Sequence, residues 1–186
     1  SELTVNIPSA QIVMAKNNIS IKNSYLLLNN SRIDVKGLVK DYTTDKMSMN
    51  ITAGGNINAA DILGMMPQEV RSMFPYKGSL PLSIQADGNA KSQNISVLIT
   101  ANPSNYLQFA DIDLLRGRDT KIQANMNISG DNLTFANSGV YTGGNSIASL
   151  TGGVSKLTSS PKLNLAITIP NNVSFPIWGM GQSNIT

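Results

Sequence analysis

Apolar side chains recur at every second position along almost the whole of this chain, and the period changes only once. Leu3, Val5 and Ile7 open the pattern; Ile19 with Ile21, Leu26 with Leu28, and Ile33 with Val35 and Val39 continue it. Met47, Met49 and Ile51 follow, then Leu80, Leu82 and Ile84, then Ile95, Val97 and Ile99. Ile122, Ala124, Met126 and Ile128, then Leu133 with Phe135, Val140, Ile147 and Val154, and finally Leu163 through Ile169 complete it. A two-residue period sends alternate side chains to opposite faces of a strand, so each segment reads as a strand with one apolar face. About a dozen such strands, at the 8–12-residue spacing of an all-β meander, are expected. Segments 3–7 and 11–15 read as two short strands on either side of Pro8. Leu107, Phe109, Ile112 and Leu114 read as a strand with a phase slip near Ala110 and Asp111, the mark of a bulge.

The exception to the two-residue period lies at Ala59, Ile62, Leu63, Met66, Val70, Met73 and Phe74. Steps of three and four residues place these on one side of a short amphipathic helix. Pro67 falls inside it and predicts a kink, because proline lacks the backbone donor and clashes with the preceding turn; Pro75 ends it. The expected fold is therefore mainly β: a curved antiparallel sheet, groove-like and built from repeats, with one short helical insertion near 59–74.

The chain also repeats itself. Asn18-Ile-Ser-Ile-Lys-Asn-Ser24 matches Asn132-Leu-Thr-Phe-Ala-Asn-Ser138, and the glycine-led segment 37–43 matches 152–158. Met47-Ser-Met-Asn-Ile-Thr52 then matches Leu163-Asn-Leu-Ala-Ile-Thr168. The order of the three matches points to a duplication covering roughly 17–75 and 131–186, the second copy truncated near Pro176-Ile-Trp178, where its helix should begin. Repeats of this kind stack into elongated arrays in which each unit covers its neighbour's edge.

Composition narrows the chemistry. Charged residues are 13% of the 186, against the roughly 25% usual in soluble domains. Asn, Ser, Thr and Gly supply the polarity instead, which suits strands with neutral polar faces. A net charge of +3 is too weak and scattered for a nucleic-acid surface. There is no Cys and no His, which removes disulfides, thiolate metal sites and the usual nucleophile–base pairs.

The remaining candidates each have an ordinary structural explanation. Ser159-Ser-Pro-Lys162 is a formal Ser-x-x-Lys, but it sits in a proline turn, whereas that motif needs a helical turn to bring lysine to serine. Asp111 and Asp113 share a face of a regular strand and read as a solvated face beside the bulge. Asp61 reads as an acid near a helix N-terminus, where exposed amides favour a carboxylate. Arg116-Gly-Arg118-Asp119 reads as a hairpin turn. Asn-x-Ser/Thr triplets at Asn18, Asn50, Asn94, Asn127 and Asn132 each have an apolar middle residue, so they are the strand alternation itself. No active site, metal or cofactor is expected, and the chain is read as a non-enzyme.

One stretch carries a resemblance. Gly37, Val39, Met47, Met49, Ile51, Ile57, Ala59, Asp61, Ile62, Leu63 and Pro67, followed by the strand from Lys77 to Gly88, form a glycine-led strand, an alternating strand and a helix entry. This resembles the AsmA-like family of bacterial envelope proteins, which includes TamB. The resemblance implies a segment, 1–186, of a larger periplasmic protein anchored to the inner membrane through a helix outside this sequence. It implies an apolar β-groove that holds phospholipid acyl chains, joins neighbouring repeats of the same chain, and supports lipid transport and outer-membrane homeostasis. Leu82, Ile84, Val97, Ile99, Met126 and Ile128 are the expected lining residues. The alternative is an extracellular or surface β-repeat module for adhesion, without ligand.

Overall fold

A computed structural model describes residues 5–58, 60–61, 78–101, 108–109, 112–113, 119–170, 173–177 and 181–185. The strands, in chain order, are β1 (Val5–Met14), β2 (Asn18–Leu28), β3 (Ser31–Lys40), β4 (Ser48–Asn58), β5 (Ser79–Asn89), β6 (Ser92–Ala101), β7 (Gln108–Phe109) and β8 (Ile112–Asp113). After these come β9 (Thr120–Ser129), β10 (Asn132–Thr142), β11 (Asn145–Ser155), β12 (Lys162–Thr168), β13 (Val173–Ile177) and β14 (Gly181–Ile185). Ten of them form one antiparallel sheet in the order β1-β2-β3-β4-β5-β6-β9-β10-β11-β12, and β14-β13-β8-β7 form a second, four-stranded sheet. The ten-stranded sheet does not close on itself. The mainly β, antiparallel architecture agrees with the sequence pattern.

Three local readings change. Pro8 does not separate two strands: β1 runs through it, and the register with β2 breaks between Asn6 and Ser9 and again between Ser9 and Gln11. A bulge is where a strand tolerates a residue with no amide donor. Around 107–114 there is no single bulged strand, because Phe109 pairs with Ile112 and Gln108 with Asp113, making a tight hairpin of two short strands. Asp111 and the segment 114–118 lie outside the described residues. Residues 60–61 are helical, and the remainder of the helix expected over 59–74 also lies outside them.

Two bulges recur with the same construction. In β2, Lys22 and Asn23 oppose the single residue Lys36 of β3, between the pairs Ile21–Gly37 and Ser24–Val35. In β10, Ala136 and Asn137 oppose Thr151 of β11, between Phe135–Gly152 and Ser138–Leu150. Asn23 and Asn137 both adopt the left-handed conformation, at φ 47° and 48°, which asparagine tolerates better than most residues. The serine that follows completes the ladder. Ser24 Oγ accepts from the Gln11 amide at 2.9 Å and donates to Lys22 carbonyl oxygen at 3.0 Å. Ser138 Oγ accepts from the Asn125 amide at 2.9 Å and lies 3.2 Å from the carbonyl of Ala136. The register then aligns Ile51, opposite Gly37, with Leu165, opposite Gly152. That is two residues away from the match between 47–52 and 163–168 read from sequence.

Candidate functional site

Cross-strand pairing turns the alternation of single strands into continuous rows. One row runs Ile12, Ile21, Gly37, Ile51, Ala86, Ile95, Met126, Phe135, Gly152, Leu165, crossing all ten strands without a polar side chain. The next row runs Met14, Ile19, Val39, Met49, Gly88, Gln93, Ile128, Leu133, Val154, Leu163, in which Gln93 alone is polar. At roughly 4.8 Å per strand, each row is about 40 Å long.

The six residues singled out from sequence all belong to this face. Leu82 is directly opposite Ile99, and Ile84 opposite Val97, on β5 and β6. Met126 lies opposite Ile95 and Ile128 opposite Gln93, so they extend the set by two further rows. The expected lining set left out Ile122, which continues the Leu82–Ile99 row on β9, and the apolar side chains of β10 to β12.

The opposite face is polar and largely uncharged. Lys36, Thr52, Gln85, Ser96 and Asn125 form one of its rows. Ser96 Oγ donates to Asn125 Oδ1 at 2.6 Å, and Asn127 Nδ2 donates to Asn94 Oδ1 and Ser92 Oγ, each at 2.8 Å. Side-chain amides and hydroxyls thus satisfy one another across strands, which explains how a sheet of this size needs so few charges. Arg32 stacks over Tyr25 at 4.0 Å and pairs with Asp34 at 2.7 Å. The hydrogen bond that Arg32 donates to Asp34 is the main reason its guanidinium is held above its ordinary pKa. The ion pair is exposed and contributes little to stability.

Among the described residues, the apolar face is closely covered only at one end and is otherwise half-buried or exposed. Among the described residues, the buried apolar side chains are Ile33, Ile57, Leu80 and Leu82. Leu26, Leu28, Ala53, Ile84, Val97 and Ile99 pack around the cluster of Ile33, Ile57 and Leu82 and are only partly buried. Away from it most side chains of the same face are half-buried, and a few are open: Ile12 is 57% exposed, Ile122 44% and Leu163 69%. The accessible surface is 11792 Å² for 19.8 kDa, whereas a compact protein of this mass exposes roughly 8,600 Å². Comparison with known proteins finds no matching family, curated protein or solved structure. The sheet itself is what remains to indicate a ligand.

Two hollows bear on it. A depression of about 700 Å³ lies on the polar face beside Arg32, Asp34, Lys36 and Thr52. Although it is the larger, Arg32 and Asp34 are engaged with each other there, and it offers an open dish rather than an enclosed site. A smaller hollow of about 200 Å³ lies on the apolar face between Ile7, Ala10, Ile12, Ile21, Leu26 and Val35, at the β2 bulge with Ser24. Its lining is the better match to a hydrocarbon segment.

The chemical candidates stay apart. Ser159 lies in the turn after β11, where its amide donates to the Lys156 carbonyl at 3.2 Å, and Lys162 opens β12. No helical turn joins them. Among the described residues no three of His, Cys, Asp and Glu gather as metal ligands, and no helix is long and apolar enough to cross a membrane.

Asp61 has a role not legible in the sequence. It is 3% exposed, and its carboxylate accepts from Ser31 Oγ at 2.6 Å, the Asn30 amide at 3.2 Å and Asn30 Nδ2 at 3.3 Å. Ser31 Oγ in turn accepts from the Asn58 amide at 2.8 Å. The acid fastens the chain leaving β4 to the β2–β3 turn, beside the buried end of the apolar face.

Proposed function

We propose that the apolar face binds lipid acyl chains, and that the chain is a segment of an AsmA-like protein anchored in the inner membrane. In this reading the sheet curls in the periplasm into a groove that carries phospholipid and supports outer-membrane homeostasis. Its role is binding and conveyance, with no catalytic step. The observation that carries the reading is an apolar row crossing ten strands, its members half-buried over the middle strands and exposed at Ile12 and Leu165 on the two edges. A fully exposed side chain of this kind gains roughly 1.5–3 kcal/mol on leaving water and a half-buried one part of that, so an apolar face of this extent favours an apolar occupant. An acyl chain spans about half of a hydrocarbon core roughly 30 Å thick, and fits within a row of about 40 Å. Ile, Leu, Val and Met dominate the wall, and with few polar groups it selects for hydrocarbon rather than for one head group.

The test is photo-crosslinking in cells, in the full-length protein. A photoreactive residue at Ile99 or Ile122 should capture phospholipid, and one at Ser83 or Gln85, on the polar face, should not. Equal labelling of both faces, or labelling of neither, would reject lipid binding by this sheet. Alanine at Asp113 or Ser159 should leave the cellular phenotype intact, and a loss with folding preserved would restore a catalytic reading.

A further inference from the structure

The duplication reaches further back than the matching bulges, because β1 and β9 take the same place against them. Ile12 opposite Ile21 becomes Met126 opposite Phe135, and Met14 opposite Ile19 becomes Ile128 opposite Leu133. Beyond the bulge, Ser9 opposite Tyr25 becomes Gln123 opposite Gly139, and Val5 opposite Leu28 becomes Thr120 opposite Thr142. Gln11 and Asn125, whose amides bond the two bulge serines, are likewise equivalent. The repeat is therefore β1–β4 against β9–β12, with β5 and β6 between them.

The hollow on β1, β2 and β3 follows from this construction. Ser24 stands in an apolar row, opposite Val35, and Ala10 beside it is as small. Ile12 and Ile21 flank that pair on one side and Ile7 and Leu26 on the other, leaving about 200 Å³ between them. In the second repeat the small pair is Ala124 and Ser138, flanked by Met126 and Phe135 and by Ile122 and Val140. Leu150 takes the place of Val35. In both repeats the serine hydroxyl is already bonded to backbone, accepting from the facing amide and close to a carbonyl of its own strand. The one polar side chain at the base is therefore satisfied, and the site offers an incoming molecule little but hydrocarbon.

We propose that each repeat carries one subsite for a linear acyl chain, centred on its bulge serine, so that two lipid tails bind independently, one over β1–β3 and one over β9–β11. This rests on the reading of the apolar face as a lipid-binding surface, and adds where on it the tails sit and how many there are. An apolar cavity of about 150 Å³ stays dry and accepts a benzene-sized molecule. A hollow of about 200 Å³ therefore takes a short run of methylene groups. β2 and β10 stand six strands apart in the sheet, about 29 Å at roughly 4.8 Å per strand. An acyl chain spans about 15 Å, half the hydrocarbon core of a bilayer, so one tail does not bridge the two subsites. Between them the row is filled by Ile84 and Val97, which pack against the buried cluster.

The probe is a saturated fatty acid with a diazirine in its alkyl chain, added to the purified chain below its micelle concentration, with adducts mapped by mass spectrometry. Adducts should fall in two clusters, at residues 7–26 and 122–140, and reach two per chain at saturation. Ala10→Phe puts a ring into the first hollow and should lower the first cluster about tenfold, leaving the second within about twofold. Ala124→Phe should do the reverse. Both are read on protein with unchanged circular dichroism. Ala10 is exposed on β1 and has room for the larger side chain, so its variant decides the matter if Ala124→Phe does not fold. Three results would overturn the two subsites while leaving lipid binding by the face intact: saturation at one adduct per chain, loss of both clusters together in Ala10→Phe, or labelling at Ile84, midway between the subsites, as heavy as in either cluster. Absence of adducts from every apolar residue of the face would reject the subsites together with the reading they rest on.

Discussion

Gly152→Ala should destabilise the sheet by about 4 kcal/mol, a large part of the 5–15 kcal/mol that holds a typical domain folded. Gly152 has φ +103°, a conformation that costs an L-residue about 1–3 kcal/mol whatever its surroundings. An added methyl group would also sit 2.0 Å from the Asn164 carbonyl oxygen on β12 and 3.0 Å from its carbonyl carbon. Those atoms are backbone in a ladder and have no rotamer to escape into. Relief requires β12 to separate from β11, which removes the pairings from Ser149–Thr168 to Ser155–Lys162. Gly143→Ala is the control. Its φ is +55° with nothing within 4 Å of the added atom, so only the left-handed penalty of about 1–2 kcal/mol applies. Urea unfolding of both variants reads the difference, and comparable midpoints would refute the steric account.

Asp61→Ala should be nearly as damaging, at about 3–5 kcal/mol. Hydrogen bonds to a charged acceptor contribute about 1.5–3 kcal/mol each, and buried donors left unsatisfied add their desolvation. Removal of the carboxylate strands Ser31 Oγ and the Asn30 amide, and Ser31 is only 2% exposed. Asp61→Asn keeps the shape and one acceptor, and should cost about half as much. In a double-mutant cycle with Ser31→Ala, the coupling should be about 1–3 kcal/mol, as for groups in one network. Additivity of the two single changes would show that Asp61 acts by some route other than this hydroxyl.

Periodicity made the strands and the apolar face legible, because a side-chain period of two survives any error that preserves the face. That same property hid the register. A slide of two residues leaves every side chain on its own side, so the match of Met47 with Leu163 looked as good as the true alignment of Ile51 with Leu165. The bulges did leave a trace. Apolar positions are odd at Ile19 and Ile21 but even at Leu26 and Leu28, and they change in the same way from Leu133 and Phe135 to Val140. An inserted residue is what such a change of phase means, and Asn23-Ser24 and Asn137-Ser138 lie where it occurs. Asp61 left no trace of its partners, since Asn30 and Ser31 lie on a distant turn and only the folded chain brings them together. Alternation reports which side of a strand is apolar, and not what lies over it.

Strand order has a mechanical consequence. Every neighbour in the ten-stranded sheet is also the neighbour in sequence, apart from the step from β6 to β9. A load applied at the two edges, across the strands, meets one antiparallel ladder after another in series, as in a zipper. Its resistance is that of the weakest single seam and does not grow with the number of strands. Extending such a sheet therefore adds reach without adding tensile strength, and extension of the molecule should read as a staircase of small yields rather than one rupture.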